Sequence, residues 1–476
     1  MLGYILRYIV YLEGILMLLP LTVSVVYGEK TGLSYLVCAA LCILIAFPFT
    51  LKKPKNTDFQ VKEGFIAVAL GWIVLSVMGA LPFIISGHIP NPIDALFETV
   101  SGFTTTGASI LRDVESLPHC HLFWRSFTHW LGGMGVLVFI LTILPMSGGS
   151  HMNLMKAESP GPSVDKLAPK VKTTAKILYG IYIAMTVMLI VILICGKMPV
   201  FDALCISFGT AGTGGFGVRN DSMASYNVFC QSAVTVFMIL FGVNFSFYFL
   251  LLSGKPKKAF KLSEVITYFI IILSATGIVC IGIYNMYGKD LAKTIQDAAF
   301  QVGSIITTTG FTTADFNLWP AASRTVLVML MFIGACAGST GGGIKVSRFI
   351  LLFKALGKEL HSIVHPRSVK KVTMGSKVVE HEIVRSTNVY MTAYIVIFAI
   401  SVLLVSFDGF DLITNFTAVA ATFNNIGPGL EAVGPTANFA DLSNFSKLVL
   451  TFDMLAGRLE IFPMLLLFYR KAWKKF

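Results

Sequence analysis

DALFETVSGFTTTGAS, residues 94–109, opens on an acid, runs through a semi-polar stretch too short to cross a bilayer, and closes on hydroxyls and a glycine. Three further segments follow the same plan: DALCISFGTAGTGGFGV (202–218), QDAAFQVGSIITTTGFTTADF (296–316) and DLITNFTAVAATFNNIGPGLEAVG (411–434). Two of the four share Thr-Thr-Thr-Gly, at Thr104 to Gly107 and Thr307 to Gly310. Self-similarity at matching places is the signature of an internal repeat. Each copy lies between two long apolar runs, so the repeated unit reads helix, re-entrant segment, helix.

Working outward, the apolar runs number ten: Gly3 to Tyr27, Leu33 to Thr50, Gly64 to Ile85, Phe123 to Pro145, Thr173 to Cys195, Val228 to Leu252, Val265 to Tyr287, Val326 to Leu352, Thr387 to Phe407 and Leu448 to Phe468. Their length suits a hydrocarbon core about 30 Å thick. With 55% hydrophobic and 13% charged residues, the chain belongs in a bilayer. The first run is too long for a cleaved signal peptide and has no small-residue cleavage site. The expected fold is therefore an all-α polytopic membrane protein. Four helix/pore-loop/helix repeats stand in a pseudo-fourfold arrangement around one pore, with two N-terminal transmembrane helices added. The expected units are an N-terminal extension at 1–60, pore repeats at 61–150 and 151–255, a third repeat with an intramembrane loop at 256–360, and a fourth at 361–476.

Most of the 37 Lys and Arg fall in alternate loops: Arg7, Lys52 to Lys62, Lys156 to Lys176, Lys255 to Lys261, Arg348 to Arg385 and Arg470 to Lys475. That side is read as cytoplasmic, with both termini on it. The net charge of +12 is then a signal of topology, with no nucleic acid implied. The re-entrant segments follow outward-running helices, so all four enter from the outer side.

Irregular backbone at membrane depth is tolerated only in buried protein or along a wet cavity. A dehydrated cation needs oxygens to replace its water, and rings of carbonyls supply them. Glycine reaches the positive φ that turns carbonyls to one side. The narrowest site is therefore expected at Gly107, Gly214, Gly310 and Gly427. Carbonyls or hydroxyls of Thr104, Thr105, Thr106, Gly212, Thr213, Thr307, Thr308, Thr309, Asn424, Asn425 and Ile426 stand beside it. In the second copy either Gly214 or Gly215 matches, and Gly214 is the choice made here. The short helix before each glycine aims its negative end inward. Asp94, Asp202, Asp297 and Asp411 are expected as N-caps or first-turn acids of these helices, while Asp113, Glu115, Asp221, Asp315 and Glu431 are placed to attract cations at the outer mouth.

Gly334 to Gly343 should break the third repeat's second helix, since glycine costs about 1 kcal/mol each in a helix interior. A broken helix at this depth lines the cavity, and Lys345 at its end would reach a cytoplasmic vestibule. Arg458 stands ten residues into the last run. An ionised residue there must face the interior or a partner, and beneath the filter it would slow a passing cation. Gly132 and Gly133 read as close helix packing. Most cysteines read as small buried hydrophobes, and His119 with His121 falls short of a metal ligand set.

Four stretches carry a resemblance: Ser101 to Gly107, Ile306 to Phe311, Ala421 to Gly429 and Gly338 to Lys345. With them the whole chain resembles the Trk/Ktr/HKT potassium transporter superfamily, nearest to its bacterial Trk membrane subunits. The resemblance implies potassium uptake across a bacterial cytoplasmic membrane, with K+ as the transported and filter-bound ion and no organic cofactor. It implies a gating role for the loop Gly338, Ser339, Thr340, Gly341, Gly342 and Gly343, and a flow-limiting one for Arg458. It further implies a homodimer over a cytosolic nucleotide-binding ring, sensing NAD, ATP or ADP, on a separate chain. The alternative is a sodium- or proton-coupled secondary transporter, which more often carries buried acids in mid-span. An intramembrane enzyme would need a catalytic set within the spans; His129 is the one histidine well inside a span and lacks such a set.

Overall fold

The structure is a computed structural model, and it describes residues 2–47, 61–133, 135, 171–368, 371–375 and 377–473. The basic stretch Lys52 to Lys55, the loop from Met152 to Lys170 and the end of the run Phe123 to Pro145 lie outside the described residues. Helices dominate. The β structure among the described residues is one antiparallel pair, Thr373–Met374 with Lys377–Val378.

Each repeat has a leading helix, a short pore helix and a trailing helix. The leading helices are Val61–Ile85, Val171–Cys195, Ser263–Ile283 and His381–Val405. In the second, Ile183, Val187 and Val191 recur every four residues and are 46%, 52% and 55% exposed, a stripe for lipid tails, while Tyr182, Leu189 and Leu193 are buried behind them. Lipid offers no hydrophobic drive for helix association, so close packing of small residues takes its place. Gly14 of Leu2–Leu16, for instance, lies against Ala39 and Cys42 of Gly32–Ala46, where an added Cβ would come within 2.9 Å of the Cys42 side chain.

The pore helices Pro92–Phe103, Val200–Gly212, Leu291–Ile306 and Leu412–Phe423 do not cross. Each packs on the trailing helix of the preceding repeat, and the first packs on that of the fourth, so four units of one chain close a circle. The N-terminal helices stand outside it against the first repeat.

The trailing elements are His119–Gly133 and three broken ones; the break at Gly334 to Gly343 is the one expected, whereas the other two differ from the uninterrupted spans expected. Val228–Phe241 turns by 90° into Phe245–Leu252, Ala321–Ile333 gives way to a loop before Val346–Val364, and Asn444–Arg458 breaks before Phe462–Phe468. Local chemistry accounts for the breaks. The Asn244 side chain caps the new helix at Ser246 N (2.8 Å), Glu460 and Ile461 take φ of 60° and 67°, and Pro463 opens the last segment. Single helices long and apolar enough to cross therefore number five among the described residues: Ile5–Tyr27, Lys62–Ile85, Ala175–Cys195, Ser263–Ile283 and His381–Asp408.

Candidate ion pathway

Each pore helix ends in the same hydrogen-bonded turn. The N–H of Thr106 donates to the Ser101 carbonyl at 2.9 Å, and those of Gly214, Thr309 and Ile426 donate to Gly209, Ser304 and Ala421 at 2.8 Å. This six-to-one bond requires a left-handed residue just past the helix, usually glycine. Here that place holds Thr105, Thr213, Thr308 and Asn425, with φ of 55°, 55°, 59° and 56°. A side chain in this region costs about 1–2 kcal/mol, so its retention in all four copies is a local price of having a polar group there.

Two residues on, φ is positive again, at Gly107 (79°), Gly215 (78°), Gly310 (84°) and Gly427 (102°). Between the two positive values, Thr106, Gly214, Thr309 and Ile426 keep a negative φ. Alternating signs turn successive carbonyls toward one side, which an ordinary extended strand does not do. The second copy thus aligns on Gly215, and the choice of Gly214 is corrected. Gly214 occupies the register of Thr106, Thr309 and Ile426 and contributes its carbonyl.

The glycines form a closed ring. A Cβ on Gly107 would overlap the Gly214 carbonyl oxygen, one on Gly215 that of Thr309, and one on Gly310 that of Ile426. On Gly427 it would lie 2.9 Å from the Thr106 oxygen, completing the circle. All four ring glycines, and not Gly214, line an outer cavity of about 200 Å³.

Threonine side chains around the ring mostly serve the protein. The hydroxyls of Thr104 and Thr106 pair at 2.8 Å, and those of Thr307 and Thr309 at 2.7 Å. Asn425 Nδ2 donates to Thr106 Oγ1 and to the Met454 carbonyl, both at 2.9 Å, and the Tyr394 hydroxyl donates to Asn424 Oδ1 at 2.9 Å. The Thr213 hydroxyl donates to the Gly212 carbonyl at 2.6 Å. The buried Thr105 hydroxyl has no hydrogen-bond partner among the described residues.

The loop Gly334 to Lys345 lies directly beneath. Gly342 N–H donates to the Thr308 hydroxyl at 2.6 Å, and a Cβ on Gly342 would approach the Asn424 carbonyl at 2.6 Å. Gly341 is held in the same way against Ala335 and Thr307. The loop is tied to the break in the second repeat through Phe245 N–H to the Gly338 carbonyl (3.0 Å), Cys336 N–H to the Gly242 carbonyl (3.1 Å) and the Thr340 hydroxyl to the Phe241 carbonyl (3.2 Å). Ser339 turns its hydroxyl back to the Cys336 carbonyl at 2.6 Å. Lys345 is 2% exposed and its Nζ donates to the Gly341 carbonyl, so it is folded into the loop and not into a vestibule.

Arg458 reaches under the ring from the fourth repeat. It donates to the Thr340 carbonyl at 2.8 Å and to those of Gly132 and Gly133 at 2.5 and 3.0 Å. Glu460 pairs with Arg348, whose guanidinium also lies 3.9 Å from the Tyr390 ring centre. The first repeat's Gly132 is where close approach was expected: a Cβ there would overlap the Phe103 carbonyl oxygen.

On the outer side the acids are already engaged. Asp113 accepts from Asn220 Nδ2 (2.8 Å), Glu115 from Asn220 N–H (2.9 Å), Asp221 from the Ser225 hydroxyl (3.2 Å), Asp315 from Asn317 N–H (3.0 Å), and Glu431 pairs with Arg324 at 3.1 Å. These bonds lace the outer loops together, and Arg324 offsets the charge of Glu431. Of the four acids expected at the helix starts, Asp94 and Asp202 lie in the first turn and Asp411 is the N-cap. The hydrogen bond from the Thr414 hydroxyl, with the N–H groups of Thr414 and Ile413, holds its carboxyl below the usual range. Asn91 and Asp290 cap the first and third pore helices; Asp94 pairs with Lys447 at 2.7 Å, Asp202 accepts from Tyr226 at 2.8 Å, and Asp297 accepts from Thr313 at 3.0 Å. His121 lies between the Tyr35 and Ser86 hydroxyls and His119 against Glu29, and no group of three metal-ligating side chains occurs among the described residues.

Sequence reading missed three braces. Arg125, 3% exposed, donates Nε to Glu98 at 2.8 Å and stacks over Phe216 at 4.0 Å; Glu98 also accepts from Ile110 N–H at 3.0 Å, behind the first ring segment. Glu264, buried at the start of its helix, accepts from Ala337 N–H at 2.6 Å and so anchors the loop. His129 bridges two ring segments. A charge inside a predicted span was the available signal for Arg125, and one inside a re-entrant segment for Glu98.

Four re-entrant helices aimed at one ring of carbonyls, within a circle of crossing helices, define a single-chain pore-loop membrane protein. A family model described as "Cation transport protein" (TrkH) matches residues 35–475. The Trk system potassium uptake protein TrkH of Salmonella typhimurium is 37% identical over 470 residues, 96% of each chain. The Trk system potassium uptake protein TrkG of Escherichia coli is 33% identical and covers 98% of this chain and 97% of its own. The crystal structure of the potassium transporter TrkH from Vibrio parahaemolyticus superimposes with a TM-score of 0.89 at 32% identity, over 99% of both chains. This chain belongs to the TrkH family of cation transport proteins.

Proposed function

We propose that the chain takes up potassium across the bacterial cytoplasmic membrane, K+ passing through the glycine ring as substrate. The observation that carries this reading is the closed ring in which each glycine abuts the carbonyl of the next repeat. It presents oxygens from Thr105, Thr106, Gly107, Thr213, Gly214, Gly215, Thr308, Thr309, Gly310, Asn425, Ile426 and Gly427 to a dehydrated cation, and the dipoles of four pore helices favour positive charge at their meeting point. The relatives are potassium uptake proteins, which supports potassium as the cation.

Beneath the ring, Gly338, Ser339, Thr340, Gly341, Gly342, Gly343 and Lys345 form the gate, with Arg458 latching it and adding a positive barrier. The units at 61–150, 151–255, 256–360 and 361–476 each supply one quadrant, and 1–60 braces the first from outside. Both termini face the cytoplasm. The working assembly is a homodimer on a separate nucleotide-binding ring that biases the loop. Rubidium uptake into proteoliposomes, with sodium competition and with and without a pH gradient, tests the proposal. Selective uptake independent of the gradient is expected, and equal uptake of rubidium and sodium would refute it.

A further inference from the structure

The second ring segment departs from its neighbours by carrying Gly212 and Gly214 where the first has Thr104 and Thr106 and the third has Thr307 and Thr309. In those copies the paired hydroxyls fill the space behind the ring. In the second, His129 of the first repeat's trailing helix occupies it. A Cβ on Gly214 would run into the imidazole, and one on Gly212 into the His129 backbone. The ring is fully buried, its Nδ1 is 2.8 Å from the Gly102 carbonyl, and its Nε2 is 3.2 Å from the Phe216 nitrogen.

These partners fix the tautomer. Nδ1 must donate to the carbonyl, and Nε2 must accept from the N–H. Gly102 lies in the pore helix leading to Gly107, and Phe216 directly follows Gly215. One neutral imidazole thus spans two adjacent quadrants and sets the position of the second ring glycine relative to the first. We infer that His129 is a selectivity-determining positioning residue, which substitutes from a neighbouring repeat for the hydroxyl pair that the second copy lacks. The inference rests on the potassium reading above.

The experiment measures rubidium and sodium uptake by purified protein in proteoliposomes for wild type, His129→Phe, His129→Ala, Gly214→Thr and the double variant His129→Ala/Gly214→Thr. His129→Phe keeps the ring volume but neither hydrogen bond. It is expected to lose discrimination about tenfold, the worth of two neutral hydrogen bonds, while its size-exclusion profile stays that of wild type. Gly214→Thr alone should be defective because the imidazole blocks the new side chain. Combined with His129→Ala it should recover discrimination, since the vacated space takes the threonine and the Gly102 carbonyl can accept its hydroxyl.

Wild-type discrimination in His129→Phe would overturn the inference, as would a double variant no better than His129→Ala. Should His129→Ala fail to give monodisperse protein, the comparison of His129→Phe with wild type decides alone. Wild-type protein that does not prefer rubidium over sodium would count against potassium uptake itself.

Discussion

Arg458 donates to the carbonyl of Thr340 at 2.8 Å, so the trailing helix of the fourth repeat holds the loop of the third. The same guanidinium reaches Gly132 and Gly133 of the first repeat. Arg458→Ala removes both the latch and the positive charge under the ring. Rubidium uptake should rise by about tenfold, since even at an effective dielectric of 20 a near charge outweighs the 1.4 kcal/mol this needs. An unchanged rate would leave Arg458 a packing residue.

The ring geometry separates Gly215 from Gly214. Gly215→Ser must adopt φ of 78° and overlap the Thr309 carbonyl. It should degrade rubidium-over-sodium discrimination to the same degree as Gly107→Ser or Gly310→Ser. Full selectivity in Gly215→Ser would contradict the alignment.

Glu460, at the break of the fourth repeat's trailing helix, pairs with Arg348 in the second half of the third repeat's. The pair is largely shielded, with side-chain exposures of 20% and 7%. Removing one partner of a fully buried pair costs about 3–5 kcal/mol, and with Glu460 partly wetted about 2 kcal/mol is expected for Glu460→Ala. Thermal unfolding in detergent reads this as a lower midpoint, whereas replacing Lys289, in an exposed outer turn, should leave it in place.

Glu29, in the turn joining the two N-terminal helices, accepts from the backbone N–H of His119 (2.6 Å) and Cys120 (3.1 Å). Burial pushes its carboxyl up, but these bonds outweigh burial and hold it below the usual value. A depressed folded-state pKa gives stability that is complete above the unfolded value of about 4.3 and is lost as pH falls through the folded one. The unfolding midpoint should therefore fall as pH drops below about 5, and Glu29→Gln should flatten that part of the profile. An equal slope in the variant would place the acid sensitivity elsewhere.

The repeats were legible because the acid, the short semi-polar helix and the hydroxyl–glycine end recur in one order, and hydropathy marks the flanking helices. The breaks in the trailing helices were less so. Glycine density betrayed the one at Gly334, but the one at Asn244 depends on a cap and the one at Glu460 on two non-glycine residues at positive φ, neither of which a composition reveals. Choosing between Gly214 and Gly215 needed backbone angles, since adjacent glycines look alike in sequence. His129 stood out as a histidine inside a span, but its bridging place could not be read: its partners, Gly102 and Phe216, lie 27 and 87 residues away.

The circle of glycines against carbonyls closes within a single polypeptide. A pore assembled from four separate copies would, in a cell carrying two alleles, form as a statistical mixture of quadrants. Here every molecule is born with the same four, so a substitution in one quadrant yields a uniform population, and natural variation can retune one side of the ring without repeating the change on the other three.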